Sequence, residues 1–149
     1  MASAMIFRMR KILLWCFLPF ALCAFASAQQ EGAAIVHFYR YRQAAGKMLR
    51  PSVYCDGYEL GRMQNGRVFD VRVQPGTHTF TAEDKQAGAT VTLEPGKEYF
   101  FRTDLQLGFW KGHFRLTMVM PDQGKYDIAN LKPSDPDTIL HTRFPVQAP

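Results

Sequence analysis

Three turn dipeptides crowd into residues 52–80, SVYCDGYELGRMQNGRVFDVRVQPGTHTF, and they restrict the fold more than any other part of the chain. Asp56-Gly57 and Asn65-Gly66 accept the positive φ angles that tight hairpins need. Pro75 pre-sets φ ahead of Gly76. After Gly66, Phe69, Val71 and Val73 share one face while Asp70 and Arg72 share the other, the pattern of a half-buried antiparallel strand. The stretch therefore reads as four short strands joined as a meander. His78 falls at a strand start, where a ring nitrogen can bond the preceding turn.

The pattern continues on both sides. Ala33 to Arg42 is apolar and β-rich, and Gln43 to Pro51 is a loop. Tyr99, Phe101, Thr103, Leu105 and Leu107 are in phase along Lys97 to Leu107, as are Phe114, Leu116, Met118 and Met120 along His113 to Met120. Pro121 to Lys125 reads as a polar turn and Tyr126 to Leu131 as a last short element. No segment past the leader keeps a helical period beyond about two turns. About eight or nine short strands, with turns at roughly 8–12-residue spacing, predict an all-β chain: a small antiparallel β-sandwich.

The first 28 residues have the pattern of an export signal. Arg8, Arg10 and Lys11 precede an apolar run from Ile12 to Phe25, interrupted at Pro19, and Ala26-Ser27-Ala28 predicts cleavage before Gln29. An uncleaved membrane anchor is the alternative, with an apolar run near the lower limit for a span. Cys16 and Cys23 follow Trp15 and Leu22 rather than small residues, which argues against lipid attachment. The expected organisation is a signal peptide at 1–28, a sandwich domain at 29–132 and an extended tail at 133–149. Ile139, Leu140 and Phe144 would dock part of that tail. The expected location is the periplasm or the exterior, with no stable membrane span after residue 28.

Removing the leader changes the charge argument. The chain has 18 Lys+Arg against 13 Asp+Glu, and three of the basic residues are Arg8, Arg10 and Lys11. That leaves 15 against 13, a net of +2, so the high isoelectric point gives no support for nucleic-acid binding. Only Cys55 remains, which excludes an intramolecular disulfide. Its apolar strand predicts a small buried side chain; facing outward, it would allow an intermolecular disulfide.

Catalytic chemistry has little to work with. Ser52 and Ser134 lie in no nucleophile elbow. His37, His78, His113 and His141 show no metal-ligand spacing, and Asp135-Pro136-Asp137 lacks the regular oxygen ligands of a calcium loop. No catalytic residue, cofactor or metal ligand is assigned. Two candidate binding surfaces remain. One is the aromatic turn with Phe109, Trp110 and His113, which either tucks over the sandwich end or docks a partner, sugar or lipid surface. The other is Tyr39-Arg40-Tyr41-Arg42, where alternation would put Arg40 and Arg42 on one face as a stripe for an anionic ligand.

Val53-Tyr54-Cys55-Asp56-Gly57, then Leu60-Gly61, then Val73-Gln74-Pro75-Gly76-Thr77-His78 resembles PEGA-type domains. The wider pattern is similar to a bacterial family of uncharacterised exported or lipoprotein-like domains, through Pro51 to Gly61 and the Gly-Lys-x-Tyr-Phe-x-Arg strand at Gly96 to Arg102. The resemblance covers about residues 33–132. It implies a small antiparallel β-sandwich and brings no catalytic residues. The expected function is an exported, non-enzymatic module that binds within or supports the cell envelope, with an envelope protein or glycan as partner. The alternative is a carbohydrate- or peptide-binding module centred on Trp110, and a hydrolase ranks third.

Overall fold

Period-two alternation sorts the apolar side chains of these strands to one face, and two sheets close over them. The computed structural model describes residues 32–83, 88–107 and 112–144. The leader at 1–28, and Phe109 and Trp110 of the aromatic turn, lie outside the described residues. The fold is that of the unit Ala33–Pro149. Its strands are β1 (Ala34–Tyr39), β2 (Ser52–Cys55), β3 (Tyr58–Arg62), β4 (Arg67–Val73), β5 (Gly76–Ala82), β6 (Gly88–Leu93), β7 (Glu98–Leu107) and β8 (Gly112–Val119). Helix α1 (Pro121–Ile128) and the short strands β9 (Lys132–Pro133) and β10 (Arg143–Phe144) follow.

One sheet runs β10-β4-β1-β7-β8, with β9 also on β4, and the other runs β3-β2-β5-β6. This is the expected all-β sandwich. Four phenylalanines join its layers: the Phe38 ring lies 5.3 Å from Phe69, 5.7 Å from Phe80 and 5.7 Å from Phe101. Phe80 and Phe101 are 4.9 Å apart. Phe38, Phe80 and Phe101 are fully buried.

The connectivity is not a meander. β1 and β7 pair in parallel, Val36 opposite Tyr99 and Phe38 opposite Phe101. The chain crosses from one sheet to the other at Asn65-Gly66, Pro75-Gly76 and Pro95-Gly96. Asp56-Gly57, by contrast, is a true hairpin turn between the paired strands β2 and β3. Both of its residues have positive φ, 48° and 86°, as a tight primed turn requires.

The polar turn and last short element expected at 121–131 are replaced, over Pro121–Ile128, by α1. Pro121 suits a first helical position, where its missing N–H costs nothing. The buried residues of α1 are Gly124 and Asp127, neither apolar, so hydrophobic periodicity is blind to it. Gly124 lies against Phe100, and the Tyr39 hydroxyl donates to Asp127 Oδ2 at 2.6 Å. His37, Tyr39 and Phe100, which alternation points away from the core, are all buried. In the C-terminal segment, Ile139 bridges to Gly61 and Phe144 is buried on β10, while Leu140 remains half exposed. Among the described residues no helix is long and apolar enough to cross a membrane.

Candidate functional site

Two places bring chemically capable side chains together. The first is the β2–β3 hairpin. Cys55, Asp56 and His78 each offer a potential ligand atom, all within 4.8 Å of one another. Every contact there serves the turn. Asp56 Oδ1 accepts the Thr79 N–H at 2.8 Å, and Oδ2 lies 2.7 Å from His78 Nδ1. His78 Nε2 lies 2.9 Å from the Gln74 carbonyl, the bond to the preceding turn that the sequence predicted. Burial pushes the Cys55 thiol well above its ordinary pKa, and the Asp56 charge adds to this. Cys55 is fully buried, so the outward-facing alternative, with its intermolecular disulfide, does not arise. An inward thiol and a histidine engaged at both nitrogens form a lock between β2 and β5.

The lock has a pH signature. Burial alone would raise the Asp56 carboxyl, but the Thr79 N–H and then the His78 ring outweigh it and hold the carboxyl below its usual range. A carboxyl lowered by folding contributes stability above its unfolded value, about 3.9. That contribution is lost as pH falls through the lower folded value. Asn tolerates the left-handed φ of 48° at this position, so Asp56→Asn tests charge with little backbone change. The melting temperatures of the two proteins should differ most above about pH 4 and converge toward about pH 2. A constant gap across that range would remove the ionic part of the lock.

The second place is a cleft of about 390 Å³ at one end of the sandwich. That volume is within the range of small-ligand sites, roughly 300–1,000 Å³. It is lined by five cations, Arg42, Lys47, Arg50, Arg67 and Lys132, and by one carboxylate, Asp135. Reciprocal amide pairs build its walls. Asn65 donates from Nδ2 to the Gln43 carbonyl and accepts the Gln43 N–H at Oδ1, both at 2.9 Å. Gln64, itself buried, donates to Asp135 Oδ2 at 2.7 Å and accepts the Asp135 N–H at 2.9 Å. Gly66 completes the turn at φ 73°, where a Cβ would press on the Arg42 side chain at 3.1 Å.

The single carboxylate is thus largely occupied. Arg67 is positioned by a bond from Nη1 to the Pro133 carbonyl at 2.8 Å, with Nη2 3.9 Å from Asp135. Among the described residues, the side chains of Arg42, Lys47, Arg50 and Lys132 make no hydrogen bond or ion pair. Their charges face the cleft and solvent uncompensated. Two unit charges 4 Å apart interact by about 4 kcal/mol at an effective dielectric of 20, against about 1 kcal/mol in water. Cations gathered around one cleft at the protein surface therefore favour an anion more than the same cations spread apart would.

The sequence-predicted residues fare differently. Arg40 follows Val36 and Phe38 in phase, on the face that enters the core, and just past the end of β1 it is fully buried. It donates to the Leu49 and Gly46 carbonyls at 2.9 and 3.0 Å and lies over the Phe114 ring. The expected Arg40–Arg42 stripe does not form; Arg42 alone reaches the surface, in the cleft. His113 is exposed on β8, and Phe109 and Trp110 beside it lie outside the described residues. Lys47, Arg50, Arg67 and Lys132 escaped notice because they belong to no motif. One signal was present: residues 32–55 hold Arg40, Arg42, Lys47 and Arg50 and no acidic residue.

A family model described as a protein of unknown function (DUF2846) matches residues 30–114. The match takes in Arg42, Lys47, Arg50 and Arg67 and ends before Lys132. An uncharacterized protein of Haemophilus influenzae is 28% identical over 96 residues, which is 62% of this chain and 57% of that protein. The chain thus spans little more than half the length of that relative. No solved structure gives a significant match.

Proposed function

We propose, of a chain that belongs to the DUF2846 family of proteins of unknown function, that it is an exported, non-enzymatic module binding an anionic component of the cell envelope in the basic cleft. The observation that carries this reading is the charge imbalance: five cations and one carboxylate, itself bonded to Gln64, line one cleft of about 390 Å³. A net charge of +2 on residues 29–149 would not by itself predict such a concentration. Export rests on the leader pattern of residues 1–28, and the likeness to PEGA-type domains agrees with it. The binding role over an enzymatic one is supported by the hairpin lock, where the only thiol among the described residues is buried and its pKa is pushed up by that burial.

Tripolyphosphate is a suitable probe, because its charges can engage several cations at once. The full chain should bind it in a calorimetric titration, more weakly as salt rises, since screening shortens charge interactions to about 8 Å at physiological ionic strength. Reversing two wall charges, Arg42→Glu with Lys132→Glu, should weaken binding at least tenfold, about 1.4 kcal/mol, with an unchanged melting temperature. Both side chains are exposed and unpaired among the described residues, so the fold should tolerate the change. Absence of binding, or binding indifferent to the reversal, would refute the reading.

A further inference from the structure

We propose that the loop Lys47-Met48-Leu49-Arg50 is a docking surface for an anionic phospholipid bilayer. The proposal rests on the anionic-ligand reading of the cleft and names the source of the anion. Met48 is 87% exposed, the highest value among the large apolar side chains described, and its neighbour Leu49 is 50% exposed. Lys47 and Arg50 flank the pair, and the cleft adds Arg42, Arg67 and Lys132 beside it.

The exposure is built in. Arg40, buried beneath the loop, donates one guanidinium nitrogen to the Leu49 carbonyl and the other to the Gly46 carbonyl, at 2.9 and 3.0 Å. The Leu49 N–H closes the turn onto the Gly46 carbonyl at 3.0 Å, and Gly46 holds a φ of 67°. At its start the loop is tied to Asn65 by the reciprocal Gln43 pair. Five of these contacts hold the backbone while the apolar tips face water. An apolar pair fixed outward between two cations fits the boundary of a bilayer, where phosphates lie above acyl chains.

The occupant follows from both halves of that chemistry. A soluble anion would use the cations and gain nothing from the apolar side chains of Met48, at the cleft's lining, and Leu49. An anionic bilayer uses all four side chains: each basic residue near the surface is worth about fivefold in partition. Burying a Met or Leu side chain is worth roughly tenfold or more. Arg40 acts as a positioning residue, since it reaches the loop only through its backbone carbonyls.

The test is co-sedimentation of the full chain with phosphatidylcholine vesicles, with and without phosphatidylglycerol at about one third of the lipid. Any attachment through residues 12–25 is common to all variants. Partition should be at least about tenfold stronger on the anionic vesicles. Met48→Ser with Leu49→Ser, which leaves the charge unchanged, should lower it at least about tenfold. Leu49→Ser alone, at a residue that does not line the cleft, should leave tripolyphosphate affinity as in the parent. Lys47→Gln with Arg50→Gln should weaken both kinds of binding. Unchanged vesicle partition in the double serine variant overturns lipid docking, whether or not tripolyphosphate still binds. Equal partition on both vesicle types overturns it as well. Loss of tripolyphosphate binding in the parent refutes the cleft reading separately. Capture of an acidic protein with no vesicle binding would replace the bilayer by that class of partner.

Discussion

Phe38→Ala should remove a large share of the stability of this fold, about 3–5 kcal/mol out of a total of about 5–15 kcal/mol for a domain of ordinary stability. Phe38 is fully buried and its ring contacts Phe69, Phe80 and Phe101, which come from both sheets. Truncation loses the transfer of the ring out of water and leaves a cavity bounded by three further rings. Those rings sit on paired strands, so the layers can collapse only partly into the space. The melting temperature should fall by on the order of 15 °C. Phe38→Leu keeps much of the volume and should cost well under half as much. Chemical denaturation of the three proteins checks the order. A loss below about 1 kcal/mol for the alanine variant would mean that the layers are not joined through this ring.

Gly124→Ala should be the next most damaging change, and it runs against local propensity. In an isolated helix alanine would be favoured over glycine by about 1 kcal/mol. Here a Cβ on residue 124 would overlap Cβ and Cγ of Phe100, atoms close to the β7 backbone that have no room to retreat. Overpacking of this kind typically costs about 1–3 kcal/mol, occasionally more. The overlap reaches the root of the Phe100 side chain, so the upper part of that range should outweigh the propensity gain. We expect a net loss of about 2 kcal/mol. The effect should be local first: α1 lifts from the sheet, and the bond from the Tyr39 hydroxyl to Asp127 is lost. Faster amide exchange across 121–128, partly reversed by Phe100→Ala in the double variant, would identify the contact. A stabilised Gly124→Ala protein would show that α1 does not pack where it is described.

These two residues also mark what the sequence could and could not reveal. Phe38 lies in a β-rich segment, and the alternation of Phe69, Phe101 and Phe114 was readable because period two reports an apolar face directly. α1 was hidden because its buried positions are a glycine and an aspartate. Asp56-Gly57 was read correctly as a hairpin, whereas Asn65-Gly66 and Pro75-Gly76 turned out to cross between sheets. A turn dipeptide reports local backbone angles; it does not report whether the strands on either side pair with each other. The parallel β1–β7 pairing needs partners about 60 residues apart, beyond the reach of any local pattern.

The candidate site was less legible than the fold. Its charge suggests an outward Arg40, but Arg40 follows Val36 and Phe38 in phase and points inward, where it holds the following loop. Arg42 was singled out and does line the cleft, beside cations that come from the β1–β2 loop, the start of β4 and β9. Net charge averages such residues against acids elsewhere, so the local excess disappears from the sum. The acid-free run from residue 32 to 55 was the available clue, though it contains no motif with a known mechanism.

The central claim is that this cleft is where an anion binds, and backbone amide chemical shifts on titration with tripolyphosphate test it most directly. The largest shifts should fall at Arg42, Asn65, Gly66 and Lys132, around the cleft, and the Asp56–His78 hairpin should not respond. Absence of shifts, or a response centred on the hairpin or another face of the sandwich, would contradict it.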